Sequence, residues 1–120
     1  MEWRPDKNRP ICPQIKEWIS VRIACDDLKE NEQLHSVRDV AIEIGVNPNT
    51  VQKAYEQLKA LGLIYSVQGS GWFVGENKEI AIETVNALIK EKTRSYIKDM
   101  ELLGQTIEST KQYIKEWENE

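Results

Sequence analysis

Two helices forced into close succession constrain this chain more than any other feature. Ser36-Val37-Arg38-Asp39 reads as a helix start. The Ser36 hydroxyl can accept the N–H three residues on, and Asp39 can reach back while favouring the positive helix end. The helix Val37–Ile44 should bury Val37, Val40, Ala41 and Ile44, and Gly45 supplies the left-handed residue that ends it. Asn47-Pro48 restarts a helix at once, Asn47 as N-cap and Pro48 as a first residue whose missing N–H costs nothing. Val51, Ala54, Tyr55, Leu58 and Leu61 form the buried face of that helix, and Gly62 stops it. A turn of about three residues joins the two, which is the helix-turn-helix connection and holds them at a steep angle.

The flanks fit one small domain around this pair. Upstream, Ile11, Ile15, Trp18, Ile19, Arg22 and Ile23 follow three-four spacing and predict a helix that fades near Cys25, with Pro13 in its first turn. Asp26 to His35 read as a polar connection with one buried anchor, Leu28. Residues 1–9 carry no pattern and are expected to be a mobile terminus, although Arg4, Lys7 and Arg9 are available to phosphate. Downstream, Leu63–Val67 and Trp72–Val74 are β-branched and aromatic, with Gln68-Gly69-Ser70-Gly71 as turn chemistry between them. A hairpin directly after the third helix is a wing.

Beyond Gly75-Glu76-Asn77 the chain becomes helical and acidic. Ile89, Thr93, Tyr96, Met100, Leu103, Ile107, Thr110, Ile114 and Trp117 alternate steps of four and three, a heptad-like seam. Gly104 interrupts it and Thr106 can cap a new helix, so two helices, 78–102 and 107–118, are favoured over one rod. Such a seam must face another helix, in this chain or in a second copy. The expected fold is therefore mostly α: a winged helix-turn-helix over residues 1–75, then a helical dimerisation segment over 76–120.

Composition narrows the function. Net charge is −4, which speaks against nucleic acid at first. The charge is uneven, with 9 Lys/Arg against 10 Asp/Glu in residues 1–75 and 7 against 10 in residues 76–120. DNA binding would require the few basic groups of the first part to share a face. Cys12 and Cys25 lie roughly 20 Å apart along one helix, too far for a disulfide within it. With one histidine in the chain, a zinc site is not expected, and neither is any cofactor. No phosphate loop or nucleophile–base set points to an enzyme. No apolar run approaches the roughly 20 residues of a membrane span, and the opening residues lack a signal peptide, so a cytoplasmic protein without membrane contact is expected.

The exposed side of the third helix carries the functional signal. Asn49, Gln52, Lys53 and Glu56 stand opposite its buried face, and Asn47, Asn49 and Thr50 occupy the first turn, where recognition helices contact base edges. Asn and Gln can bond adenine through two atoms, Thr can meet a base or the thymine methyl, and Lys can pair with guanine or phosphate. Arg38 opens the preceding helix, and Gly69 and Gly71 allow close approach at the wing tip. Alone, residues 47–53 could equally be a solvated face; the order of elements favours a DNA-reading face over that alternative.

Residues 10–74 resemble the GntR winged-helix family. The matching stretches are Pro10-Ile11, Gln14-Ile15, Leu34 with Ser36-Val37-Arg38, Ala41, VNPNTVQKAYEQLKALGLI at 46–64 and QGSGWFV at 68–74. NPNTV and the short helical tail look like the YtrA subfamily. The resemblance implies that Arg38 contacts DNA, that Asn47, Asn49, Thr50 and Gln52 face the major groove with Lys53 near phosphate, and that Gln68 and Gly69 sit at the minor groove. The family commonly has Gly where this chain has Asp26 and Asn31, two residue types that tolerate the left-handed conformation, and Pro where it has His35. The implied protein is a repressor that binds double-stranded DNA at a palindromic operator as a homodimer, and the seam residues Ile89, Tyr96, Met100, Leu103, Ile107, Ile114 and Trp117 are expected to pair the two copies. An effector is not identified; Trp72, Tyr96 and Trp117 are candidates to line a pocket, with packing the expected role of each. The rival reading is a protein-interaction module that docks through its acidic tail, against which stands the absence of aromatic anchors on the reading face.

Overall fold

The computed structural model describes residues 3–119; Met1 and Glu2, which belong to the opening segment, and Glu120 lie outside the described residues. The element order is α1 (Ile11–Ala24), α2 (Val37–Ile44), α3 (Pro48–Ala60), β1 (Ile64–Val67), β2 (Gly71–Val74), α4 (Lys78–Leu102) and α5 (Ile107–Trp117). The fold is mostly α, a winged helix-turn-helix followed by a helical region. The chain divides into two compact units, residues 1–85 and 86–120.

The helix boundaries follow the capping chemistry. Ser36 Oγ accepts from the Asp39 N–H at 3.0 Å, and Asn47 Oδ1 accepts from the Asn49 N–H at 2.8 Å. The reciprocal bond from Asp39 to Ser36 does not form, so Asp39 acts on this helix end through its charge alone. Gly45 takes φ +69° and lets the Val46 N–H reach the Ala41 carbonyl at 3.0 Å, closing α2 within one turn of the start of α3. In the second unit Thr106 and Ser109 form a full reciprocal capping box, which restarts the helix after Gly104.

The first unit is built around α3. Val51, Ala54, Tyr55 and Leu58 are fully buried against Ile15 and Ile19 of α1, Val40 and Ile44 of α2, and Leu63, Ile64 and Val74 of the hairpin. Ala81, early in α4, belongs to the same core. Two expected core positions move outward: Leu61, as the C-cap of α3, is 45% exposed, and Val37 is half-buried. Each sits at a helix end, where the chain turns off the core.

Two expectations about irregular segments are corrected. Residues 3–9 are packed, not mobile. Trp3 stacks on Trp18 with ring centroids 5.6 Å apart, Pro5 is buried, and Gln14 bonds both the N–H and the carbonyl of Asp6 at 2.8 and 2.9 Å. The connection before α2 is likewise more than a polar loop. Leu34, not the half-buried Leu28, is its buried anchor. Its backbone lies along β2, with N–H to carbonyl bonds Leu34 to Trp72, Val74 to Glu32 and Asn31 to Val74, all at 2.9 Å. The two-stranded wing pairs Ile64 with Val74 and Val67 with Gly71, and this third segment satisfies its open edge.

Asp26 and Asn31 adopt φ +64° and +63°, as their resemblance to glycine positions implied. Each is tethered. Asp26 takes a 2.7 Å ion pair from Lys78, whose hydrogen bond holds the Asp26 carboxyl below its ordinary value, and Asn31 Oδ1 accepts from the Tyr65 hydroxyl at 2.8 Å.

Tyr55 ties α3 to the start of α2. Its hydroxyl donates to the His35 carbonyl at 2.7 Å, and burial holds the phenol protonated far above its ordinary value. Tyr55→Phe should keep the ring packing and remove this bond, lowering stability by about 1 kcal/mol. A urea melt should show the midpoint falling with its slope unchanged.

Candidate nucleic-acid interface

The structure places the residues expected to read DNA at the start and on the exposed side of α3. Asn47, Asn49, Gln52 and Lys53 are exposed, and Thr50 is half-buried in the first turn. Arg38 is exposed in the first turn of α2 and, like Lys53, has no ion-pair partner among the described residues. The two helices are joined through Gly45 and Val46, so α2 and α3 place Arg38 and the α3 first turn on one rigid support.

Hydrogen bonding modifies two of the assigned roles. The Asn47 carbonyl oxygen is already engaged as the N-cap of α3, which leaves its amide N–H groups for an acceptor. Gln52 donates one amide N–H to Glu56 Oε1 at 2.9 Å. Its other N–H and its carbonyl oxygen remain, the pair needed to meet adenine N7 and N6 together. Glu56 therefore orients the Gln52 amide, and its charge offsets that of Lys53, so this face is close to neutral.

The wing tip is Gln68 and Gly69, both exposed. Gly69 has φ +80° with open space around it, so its requirement is conformational and not steric. Gln33 Nε2 donates to the Ser70 carbonyl at 2.7 Å and fixes this turn from the connection before α2. Sequence reasoning misses Gln33, because a bond between residues this far apart leaves no local pattern. Trp72 of the wing meets Tyr55 of α3 edge-on at 5.3 Å, so the wing and α3 share one packed joint.

The second unit carries the predicted seam. Tyr96, Ile107 and Ile114 line a largely apolar groove of about 450 Å³ between α4 and α5, together with Thr93, Ile97, Thr110 and the two lysines Lys92 and Lys111. Thr110 is buried, its hydroxyl donating to the Thr106 carbonyl at 2.7 Å. Ile89 lines the adjoining surface with Ile97, a residue outside the four-three spacing of the seam. Met100, Leu103 and Trp117 do not line the groove; Leu103 and Trp117 are 74% and 73% exposed.

Among the described residues there is no helix long and apolar enough to cross a membrane, and no group of three or more His, Cys, Asp or Glu placed to hold a metal. Cys12 and Cys25 are free thiols.

Comparison with known proteins places this geometry. The family model described as bacterial regulatory proteins, gntR family, matches residues 13–74. The chain is 36% identical to the uncharacterized HTH-type transcriptional regulator YhcF of Bacillus subtilis, over 90% of this chain and 89% of that one. It is 34% identical to the HTH-type transcriptional repressor YtrA of the same organism, over 93% and 87%. Among solved structures, a GntR family transcriptional regulator from Listeria monocytogenes superposes with a TM-score of 0.81 at 32% identity, covering 93% of this chain and 98% of that one. The DNA-binding domain of AraR in complex with an operator matches with a TM-score of 0.53 at 34% identity, covering 56% and 82%.

Proposed function

Because the chain belongs to the GntR family of bacterial regulatory proteins, we propose that it is a homodimeric repressor reading a palindromic operator through α3 and the wing. It is a DNA-binding transcriptional regulator, as its family is, and not an enzyme. The observation that carries the finer reading is the polar, exposed first turn of α3 beside Arg38, backed by a wing locked to the same helix through Tyr55 and Trp72. Residues 1–75, with the start of α4 packed on their core through Ala81, act as the DNA-binding domain, and the rest of the 76–120 tail acts as the dimerisation segment. Arg38 and Lys53 supply phosphate contacts, Asn47, Asn49, Thr50 and Gln52 face the major groove, and Gln68 with Gly69 meets the minor groove. A DNA target implies a cytoplasmic location. Repression is supported by the relative named as a repressor.

Dimerisation is supported by the apolar side chains left in water on the second unit. Ile89, Ile107, Ile114 and Trp117 are each at least half exposed, more apolar surface than one short helical pair should show. Two copies, each offering two helices, can close a symmetric four-helix contact. Such a dimer would present two reading helices to half-sites about 34 Å apart or a multiple of this.

Selection of tight binders from random duplex DNA by the full chain is the direct test. The expected result is an inverted repeat with half-sites one or two helical turns apart. Recovery of single, unrepeated sites would overturn the dimeric reading, and recovery of no preferred sequence would overturn sequence-specific recognition.

A further inference from the structure

The reading face of α3 is nearly neutral, since Glu56 lies beside Lys53 and is bonded to Gln52. Affinity for DNA comes largely from phosphate contacts. The cations that make them therefore have to lie on neighbouring elements, and the segment before α1 brings one to the turn itself. Lys7 Nζ stands 3.4 Å from the Gly45 carbonyl, the residue that ends α2. The same ammonium is the atom a Cβ on Gly45 would meet, at 3.1 Å. Arg4 donates to the Glu43 carbonyl two residues earlier.

Lys7 is set apart from its neighbours by its lack of a carboxylate partner. Arg9 is paired with Asp6 at 3.1 Å, whereas Lys7 holds one loose bond to a carbonyl and keeps two N–H groups free among the described residues. Its position is built, because Pro5 is buried and Trp3 is stacked on Trp18 on one side of it, and Asp6 is bonded to Gln14 on the other. Gly45 precedes the N-cap Asn47 by two residues, which span at most ~7 Å. The ammonium thus lies within about a Debye length of the α3 first turn at moderate salt.

We propose that Lys7 is a phosphate-contacting residue for double-stranded DNA, carried to the helix-turn-helix by the folded segment Trp3–Arg9. Arg38 marks the start of α2 and Lys7 its end, and an eight-residue helix is ~12 Å long. Duplex DNA advances ~3.4 Å per nucleotide along each strand, so the two cations address different phosphates. The alternative is that Arg4 and Lys7 only cap the negative C-terminal end of α2.

This inference rests on the DNA-binding function proposed above, and the test separates the two. The intact chain, Lys7→Ala and Lys7→Arg are titrated against a short mixed-sequence duplex over a range of salt, alongside thermal melts. Non-specific duplex suffices because a phosphate contact carries no sequence. Lys7→Ala is expected to weaken binding several-fold and to flatten the dependence of log K on log salt by about one unit. Its melting temperature should hold, and Lys7→Arg should restore the slope. A Lys7→Ala chain with the slope of the intact protein, whatever its melting temperature, would overturn this assignment alone. An intact chain that bound no duplex would overturn the DNA-binding function together with it.

Discussion

Placing a carboxylate on both Ile107 and Ile114 should turn the proposed dimer into a monomer and weaken operator binding by about a hundredfold or more. Both side chains line the α4–α5 groove and are about half exposed in the single chain. Folding of one protomer therefore tolerates charge there, and Lys92 and Lys111 of the groove lining can meet it, whereas a partner helix closing the groove would have to strip water from both carboxylates. Burial of each isoleucine is worth about 1.5–3 kcal/mol, and the desolvation of a charge in its place removes that contribution even where a lysine pairs with it. The affinity loss follows from geometry. One winged domain with a nearly neutral reading face binds weakly, and tethering two makes the second contact intramolecular. Light scattering and a titration on an inverted repeat read both effects. A dimeric double variant, or a monomer that held the repeat as tightly as the intact chain, would remove the pairing role from the tail. Truncation is the cruder experiment: Ala81 belongs to the winged core, so a shortened chain has to keep residues up to Val85.

The second large effect is expected at Gln52. Gln52→Ala should cost about 1–3 kcal/mol on the preferred site and relax the choice of one base pair, leaving non-specific binding unaltered. The structure sharpens the reason. Glu56 takes one amide N–H, which orients the remaining N–H and carbonyl oxygen as the pair that adenine requires. Lys53→Ala gives the contrast: a uniform loss across sequences with a salt slope flatter by about one unit. A selection profile for Gln52→Ala that matched the intact chain would show that Gln52 reads no base.

Much of this architecture is legible in the sequence because its signals are local. The caps Ser36 and Asn47, the stop at Gly45, and the restart at Thr106 after Gly104 each act across four residues or fewer. The wing announces itself by a turn between two β-branched runs for the same reason. Helical spacing alone puts Asn49, Gln52 and Lys53 opposite Val51, Ala54 and Leu58, which is enough to name the exposed face proposed to read DNA. The groove is only partly legible. Spacing picks out Tyr96, Ile107 and Ile114 but not Ile97, and it takes Leu103 into the seam although that residue lies beyond the end of α4 in the Gly104 turn.

Local spacing by itself determined which segments are helices, where they start and stop, and which faces are apolar, since those follow from hydrogen bonds and side-chain neighbours within one turn. Tertiary structure alone decided what the irregular segments do. Gln33 reaches Ser70 across 37 residues, Lys7 reaches Gly45 across 38 and Tyr55 reaches His35 across 20. Leu34 and its neighbours become the third segment of the wing because the open edge of β2 offers unpaired N–H and carbonyl groups that have to be satisfied. Such contacts form only when the core has already drawn distant stretches together, and their energy is set by that placement and not by the residues adjacent in the chain.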